Sequence, residues 1–295
     1  MKVLVAIDSS GASQYVIAEA VSRPWPTGTV LCVQCVLDMW TLDEMPDLVE
    51  DAKREVKTLA AAATSELRRS GHEVISELQA GLPKKAIVEF ASSWGADLIM
   101  VGSHRSNAVA RFLLGSVARA VLRTAPCSVE IVRPSPHGST ASSRGMKIML
   151  GTDGSNCSQK AIREVATRPW PSGSIVKVIS VREPIAPESA MAFDPALMNE
   201  MVERERCRAE DALTSARETF NRAGLKVCDS SAALFGEPRA VLLDEAKSWG
   251  ADLVVVGSHG LRGVDRVLLG SVSEAVAMHA HCSVEVVHAK DGEQA

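Results

Sequence analysis

The chain carries one sequence twice, so it has to fold as two copies of one unit. Met1-Lys2-Val3-Leu4-Val5-Ala6-Ile7-Asp8-Ser9-Ser10 returns as Met146-Lys147-Ile148-Met149-Leu150-Gly151-Thr152-Asp153-Gly154-Ser155, and Arg23-Pro24-Trp25-Pro26 returns as Arg168-Pro169-Trp170-Pro171, both at an offset of 145. Further along the offset grows. Trp94 through His104 returns as Trp249 through His259 with nine of eleven residues identical, and Leu113-Leu114-Gly115-Ser116-Val117 returns as Leu268-Leu269-Gly270-Ser271-Val272, both at 155. The second copy therefore holds ten extra residues, and the pairing of Gly71 with Gly224 at offset 153 puts about eight of them before that glycine, around 183–199. A repeat on this scale sets the architecture before any local reading. It gives a first domain at 1–133, a Pro-, Gly- and Ser-rich linker at 134–145, a second domain at 146–288 and a polar tail at 289–295.

Within each copy, short runs rich in Val, Ile and Leu alternate with helical patterns. In the first copy 3–7, 30–36, 74–78, 98–101 and 129–132 read as strands, and 13–21, 47–70, 84–94 and 116–122 as helices. The strand runs are apolar without alternation, as in parallel strands covered on both faces. Pro24 ends the first helix and Gly71 the second. Each copy is thus expected to be a doubly wound α/β domain built on a parallel, Rossmann-like five-stranded sheet.

Composition then narrows the function classes. The 295 residues are 46% hydrophobic and 23% charged, enough to bury a real core. A net charge of −4 argues against a protein built to neutralise nucleic-acid phosphates, and one tyrosine, Tyr15, among 4% aromatics leaves little for stacking on single strands. No run reaches the roughly 18 apolar residues of a membrane helix. The opening apolar stretch meets Asp8 too soon for an export signal. Seven scattered cysteines (Cys32, Cys35, Cys127, Cys157, Cys207, Cys228 and Cys282) point to the reducing cytoplasm.

Ligands of open parallel sheets sit beyond the carboxyl ends of the strands, where the strand order reverses. Two features fall there: the acid closing the first strand, Asp8 or Asp153, and the loop after the fourth strand. In the second copy that loop reads Gly257-Ser258-His259-Gly260, then nine residues, then Gly270-Ser271. The first glycines let backbone approach a ligand with no Cβ between them. Gly270-Ser271 opens a helix, whose free N–H groups and dipole favour an anion, and Ser258 and Ser271 add hydroxyl donors. A triphosphate is the natural occupant, with Asp153 accepting hydrogen bonds from a ribose or base; capping the first helix is the other role open to Asp153. The chain has no G-x-x-x-x-G-K-[ST] and no G-x-G-x-x-G after the first strand. Without a loop lysine or an evident catalytic acid or base, fast hydrolysis is not expected.

These residues resemble the universal stress protein family in its tandem form, over 1–133 and 146–288. The family signature is glycine, two residues, glycine, nine residues, glycine and serine or threonine, and Gly257, Gly260, Gly270 and Ser271 match it in full. The resemblance implies a sheet of order 3-2-1-4-5 and ATP as ligand, with Mg2+ on the phosphates. It implies a second-copy site of Thr152, Asp153, Val181 at the end of the second strand, Gly257, Ser258, Gly260, Gly270, Ser271 and Val272. Family members that lack the glycines usually bind no ATP and act as partners or dimers. In the family the fifth strands pair across a two-fold, which two tandem copies can supply internally as a pseudo-dimer; homodimerisation of the whole chain stays open. The function implied is a cytoplasmic, ATP-binding stress-response or regulatory protein acting on an unidentified protein partner. A slow ATPase or nucleotidyl transferase, and an interaction module that binds no nucleotide, are the alternatives the residues leave open.

The first copy departs at one place. Gly102-Ser103-His104 is followed by Arg105 where the second glycine belongs, while Asp8, Gly115 and Ser116 are kept. A side chain where backbone must come close, or where φ is positive, hinders a phosphate. Asp8, Gly102, Ser103, Gly115 and Ser116 are therefore expected to form the weaker site; the opposing reading pairs the Arg105 guanidinium with the phosphate. His104 and His259 are expected to hydrogen-bond within their own loops. Cys32 and Cys35, three apart on a strand, should face opposite sides as small core residues. Glu130 and Glu285, in mid fifth strand, read as edge-strand charges that deter unwanted pairing. The stretch 183–193 reads equally as a lid over the nucleotide or an exposed loop, and 196–222 as a largely solvated amphipathic helix.

Overall fold

The computed structural model describes residues 1–38, 46–103, 114–134, 144–183, 195–260 and 269–288. The first half runs β1 (Lys2–Ile7), α1 (Ala12–Ser22), β2 (Val30–Asp38), α2 (Pro46–Arg69), β3 (Glu73–Gly81), α3 (Pro83–Trp94), β4 (Leu98–Gly102), α4 (Ser116–Thr124) and β5 (Ser128–Val132). The second runs β6 (Lys147–Gly151), α5 (Asn156–Thr167), β7 (Ile175–Arg182), α6 (Pro195–Arg222), β8 (Lys226–Val227), β9 (Ala232–Phe235), α7 (Pro238–Trp249), β10 (Leu253–Gly257), α8 (Ser271–His279) and β11 (Ser283–Val287). The expected strands and helices of the first copy are all present, shifted at their ends by a residue or a few.

The repeated Trp-Gly-Ala-Asp segment explains itself locally. Gly95 and Gly250 end α3 and α7 in the left-handed conformation, at φ 71° and 68°, where a Cβ would be strained. Two residues on, Asp97 and Asp252 accept the first-strand N–H groups of Lys2 and Lys147, both at 2.9 Å. The segment thus stops a helix and ties the fourth strand to the first.

Each half has the parallel order 3-2-1-4-5, and the halves fuse into one sheet, β3-β2-β1-β4-β5-β11-β10-β6-β7-β8, with β9 also on β7. The fusion is the antiparallel pair β5–β11, in the register Ile131 to Val284, Glu130 to Glu285 and Val129 to Val286. The tandem is a pseudo-dimer closed within one chain.

This overturns the edge-charge reading of Glu130 and Glu285. The fifth strands lie mid-sheet, and the free edges are β3 and β8/β9. Both glutamates are buried, at 0% and 1% exposure, on Arg23 and Arg168. Six of the ten extra residues fall among the described residues, and the other four lie outside them. Four of the eight before Gly224 lengthen the second helix, 24 residues in α2 against 28 in α6. The other two interrupt the third strand, which becomes β8 and β9. Along α6 the pairs Arg204–Glu200, Arg206–Glu210 and Arg206–Glu203 face water, and Ala209, Leu213, Ala216 and Phe220 are buried. The linker core 135–143, most of the 183–193 stretch and the tail lie outside the described residues.

The two faces of the sheet differ. On the side of α3, α4, α7 and α8 a single apolar cluster crosses the junction, taking in Val129 and Ile131 of β5 with Val284 and Val286 of β11. On the side of α1 and α5 there are two clusters, one per half. Cys32 belongs to the shared face and Cys35 to the divided one, as their spacing requires. Arg133, just past β5, reaches across to the α8 carbonyls of Ala277 (2.5 Å) and Met278 (3.3 Å) and to Cys282 O (3.3 Å). The Ala277 and Met278 carbonyls are helix-end acceptors that lack intrahelical partners. Its counterpart His288 reaches the backbone of Leu122 in α4, and burial together with His259 holds its pKa down to about 4.

Candidate functional site

The candidate residues gather where β6 and β10 end. Thr152 follows β6 and is buried; its N–H donates to Ile179 O (2.9 Å) and its hydroxyl to Ser158 Oγ (3.1 Å). Asp153 comes next, and its Oδ1 accepts the Ser155 N–H (3.0 Å). The helix cap is Ser155, whose Oγ accepts from the N–H of Ser158 (3.3 Å) in the first turn of α5. Val181 lies half-buried near the end of β7 against the shared core.

The loop after β10 is pinned to its surroundings by backbone. Ser258 N–H donates to Val287 O of β11 (2.8 Å), Gly270 N–H to Ser258 O (2.8 Å), and Ser155 Oγ to His259 O (3.3 Å). Ser273 Oγ of α8 donates to the carbonyls of Gly257 (2.7 Å) and Ser258 (3.1 Å). His259 Nδ1 lies 3.0 Å from Ser258 Oγ, a hydrogen bond within its own loop. Its counterpart His104, and Arg105, lie outside the described residues.

The glycines have distinct steric reasons. A Cβ on Gly257 would lie 2.8 Å from Cys157 C and Cβ and from Ser158 N, so that glycine admits the first turn of α5. Gly102 has the same relation to Ala12 in the first half, at 2.7 Å. A Cβ on Gly260 would lie 2.7 Å from Asp153 Oδ2, so loop backbone and first-strand acid are in direct contact. None of Gly257, Gly260 and Gly270 has a positive φ, which corrects the positive-φ expectation for the second glycine: the constraint is crowding. Gly270 is the N-cap of α8 and supplies no side-chain cap, so the first-turn amides of that helix depend on other acceptors. Ser271 beside it is exposed and Val272 is half-buried against the core.

The first half repeats the frame with different details. Asp8 Oδ1 accepts from Ser10 N–H (3.0 Å), Ser13 Oγ (3.1 Å) and the Ser10 hydroxyl. Ser103 N–H donates to Val132 O (3.1 Å) and Gly115 N–H to Ser103 O (2.8 Å), and Ser116 opens α4 behind the uncapped Gly115. A cleft of about 590 Å3 lies between Ser9 and α2, walled by Asp51, Arg54, Glu55, Thr58 and Leu59, within the size range of ligand sites. In the first turn of α4 stands Arg119, where α8 has Glu274, which pairs across the junction with Arg123.

Sequence reasoning missed the residues that hold this frame. Ser155 and Ser158 recur at offset 145 as Ser10 and Ser13, and that recurrence was the available signal. Ser273 has Ala118 as its counterpart and left none.

Strand order, junction and loop together define a class: tandem doubly wound α/β domains that join through their fifth strands and offer a glycine loop at the switch point. The comparisons are more specific. The Universal stress protein family matches residues 1–133 and 146–288. A universal stress protein of Mycobacterium tuberculosis is 27% identical over 293 residues, covering 93% of this chain and 91% of that protein. A putative universal stress protein of Staphylococcus epidermidis is 33% identical over 148 residues, 49% of this chain and 84% of its own length. Among solved structures, a universal stress protein from Archaeoglobus fulgidus superposes with a TM-score of 0.68 at 19% identity, covering 99% of this chain and 97% of that one, which supports the fold. The chain belongs to the universal stress protein family, in tandem form.

Proposed function

We propose that this protein is a nucleotide-binding regulator in which the second half holds ATP. The observation that carries the reading is the contact between Gly260 and the Asp153 carboxylate, beside a helix, α8, that begins without a side-chain cap. In this reading the α8 amides and Ser271 take the phosphates, Ser258 and the backbone at Gly257 and Gly260 line the loop, and Thr152, Asp153, Val181 and Val272 flank the nucleoside. The residues fit an anion: a bare helix terminus, hydroxyl donors and one carboxylate set apart for a ribose or base. Mg2+ would ride on the phosphates with most of its waters, as that ion does where proteins supply few ligands.

The first half, with Arg105 in place of the second glycine, serves as a structural or regulatory partner. Occupancy would favour one arrangement of the loop and so change a surface that a partner protein reads. Seven free thiols fit a reducing compartment, the cytoplasm. Among the described residues no helix is long and apolar enough to cross a membrane.

The test is calorimetric titration with Mg-ATP, backed by mass spectrometry of nucleotide that co-purifies. The expected stoichiometry is about one per chain. Two equal, tight sites would overturn the assignment to the second half, and no binding at millimolar ATP would leave an interaction module as the reading. Turnover of ATP well above background would favour the enzyme alternative.

A further inference from the structure

The motif Arg23-Pro24-Trp25-Pro26 and its second copy take no part in the nucleotide loop, yet both converge with the fifth strands on one buried cluster. The strand register sets Glu130 and Glu285 directly opposite each other on the α1/α5 side of the sheet. Arg23 forks onto Glu130 (2.5 and 2.8 Å) and also holds Glu19 (2.6 Å). Arg168 reaches Glu285 with one nitrogen (2.7 Å) and Glu164 with the other (2.5 Å). Ser128 Oγ donates to Glu164 at 3.3 Å, and Lys160 Nζ lies 3.9 Å from the same carboxylate. The Arg23 guanidinium carbon lies 5.5 Å from the Trp25 ring and 5.6 Å from the Trp170 ring, so each half contributes an aromatic wall. Those are the charged groups that α1, α5, the two motif turns, β5 and β11 bring to the cluster.

Four carboxylates face two guanidinium groups and one ammonium, leaving one negative charge in excess. Glu285 Oε1 is buried with no hydrogen-bond partner among the described residues. Like charges directly opposite on neighbouring strands repel, and an uncompensated buried charge is costly. A single proton on the pair cancels the excess and relieves the like-charge repulsion.

We propose that this cluster is a proton-binding site, in which one proton on Glu130, facing Glu285 across the strand pair, helps join the two halves and makes their union respond to pH. Binding forms one O–H bond on a carboxylate oxygen and needs no co-reactant. Burial is also the main cause that raises Glu130 from an ordinary 4.5 to about 7, against the pull of Arg23, and burial raises Glu164 as well. The sign follows from linkage. The folded chain holds the proton more tightly than the unfolded one, so the stabilisation is full below about pH 4.5 and is lost as pH rises through about 7. His288 lies on the other face of β11 and titrates in the opposite sense, so the effect is read as a difference between variants.

The experiment is urea unfolding of the full chain from pH 5 to 8, for the wild type and for Glu285→Gln, whose amide keeps the shape and supplies a permanent donor. Relative to the variant, the wild-type unfolding constant should rise about tenfold per pH unit between about pH 5 and 7 and level off above. Parallel profiles for the two proteins would overturn the proposal. Infrared spectra of the wild type decide the matter independently of whether the variant folds. A carboxylic-acid band that exchanges slowly in D2O at pH 5.5 and is gone by pH 8.5 supports the site, and its absence refutes it.

Discussion

Replacing Gly260 with alanine tests how the loop and the first-strand acid meet. The added methyl would lie 2.7 Å from Asp153 Oδ2 and 3.8 Å from Asp153 Cγ. That is well inside the roughly 3.5 Å at which nonbonded heavy atoms settle. The backbone at 260 is not left-handed, so alanine adds no torsional strain and the whole cost falls on the carboxylate. Asp153 can rotate away only by giving up the Ser155 N–H at 3.0 Å. A hydrogen bond to a charged group contributes about 1.5–3 kcal/mol, and water regained at this half-exposed site offsets part of it. A net cost of about 1–2 kcal/mol corresponds to roughly 5- to 30-fold in an equilibrium. If Asp153 holds the nucleoside, Gly260→Ala should weaken Mg-ATP binding by that factor in calorimetry, while thermal unfolding followed by circular dichroism moves by only a few degrees. Gly260→Arg, which reproduces the residue at 105, should remove measurable binding. An alanine variant with unchanged affinity would refute the reasoning, and an arginine variant that still bound ATP would refute the assignment of the loop.

Gly257→Ala should act on stability instead. Its methyl meets helix backbone at 2.8 Å, which cannot swing aside, and overpacking of this kind costs about 1–3 kcal/mol, read as a lower urea midpoint; a change under about 0.5 kcal/mol would show that α5 can retreat. His288 has its pKa depressed to about 4 from an ordinary 6.5, so its contribution is present above about pH 6.5 and lost as pH falls toward 4. His288→Phe should therefore unfold with a weaker acid dependence than the wild type over that window, and identical acid limbs would refute the burial argument.

Most of the frame was legible in the sequence because its signals are local. Apolar runs marked the strands, Pro24 and Gly71 marked helix ends, and the recurrence of whole segments marked the duplication. What stayed hidden depends on distance. Nothing near Glu130 announces that its cation is Arg23, 107 residues away, so a charge in mid-strand looked like an edge device. The break in the third strand of the second half was equally hidden: the change of offset from 153 at Gly224 to 155 at Gly236 counts two added residues without saying that they split the strand. In the site, the motif located the loop correctly beside Asp153. It did not say that Gly257 answers to the packing of α5 or that Ser273 and Ser155 hold the loop, because those roles arise from contacts between elements.

The single apolar layer that runs under both halves has a consequence for how the molecule comes apart. Melting either repeat would strip Val129 and Ile131, or Val284 and Val286, of the neighbours that keep them dry. Neither repeat can therefore open at its own melting point and leave the other intact. The duplication doubled the chain without dividing it, and damage anywhere along the shared layer reaches both halves.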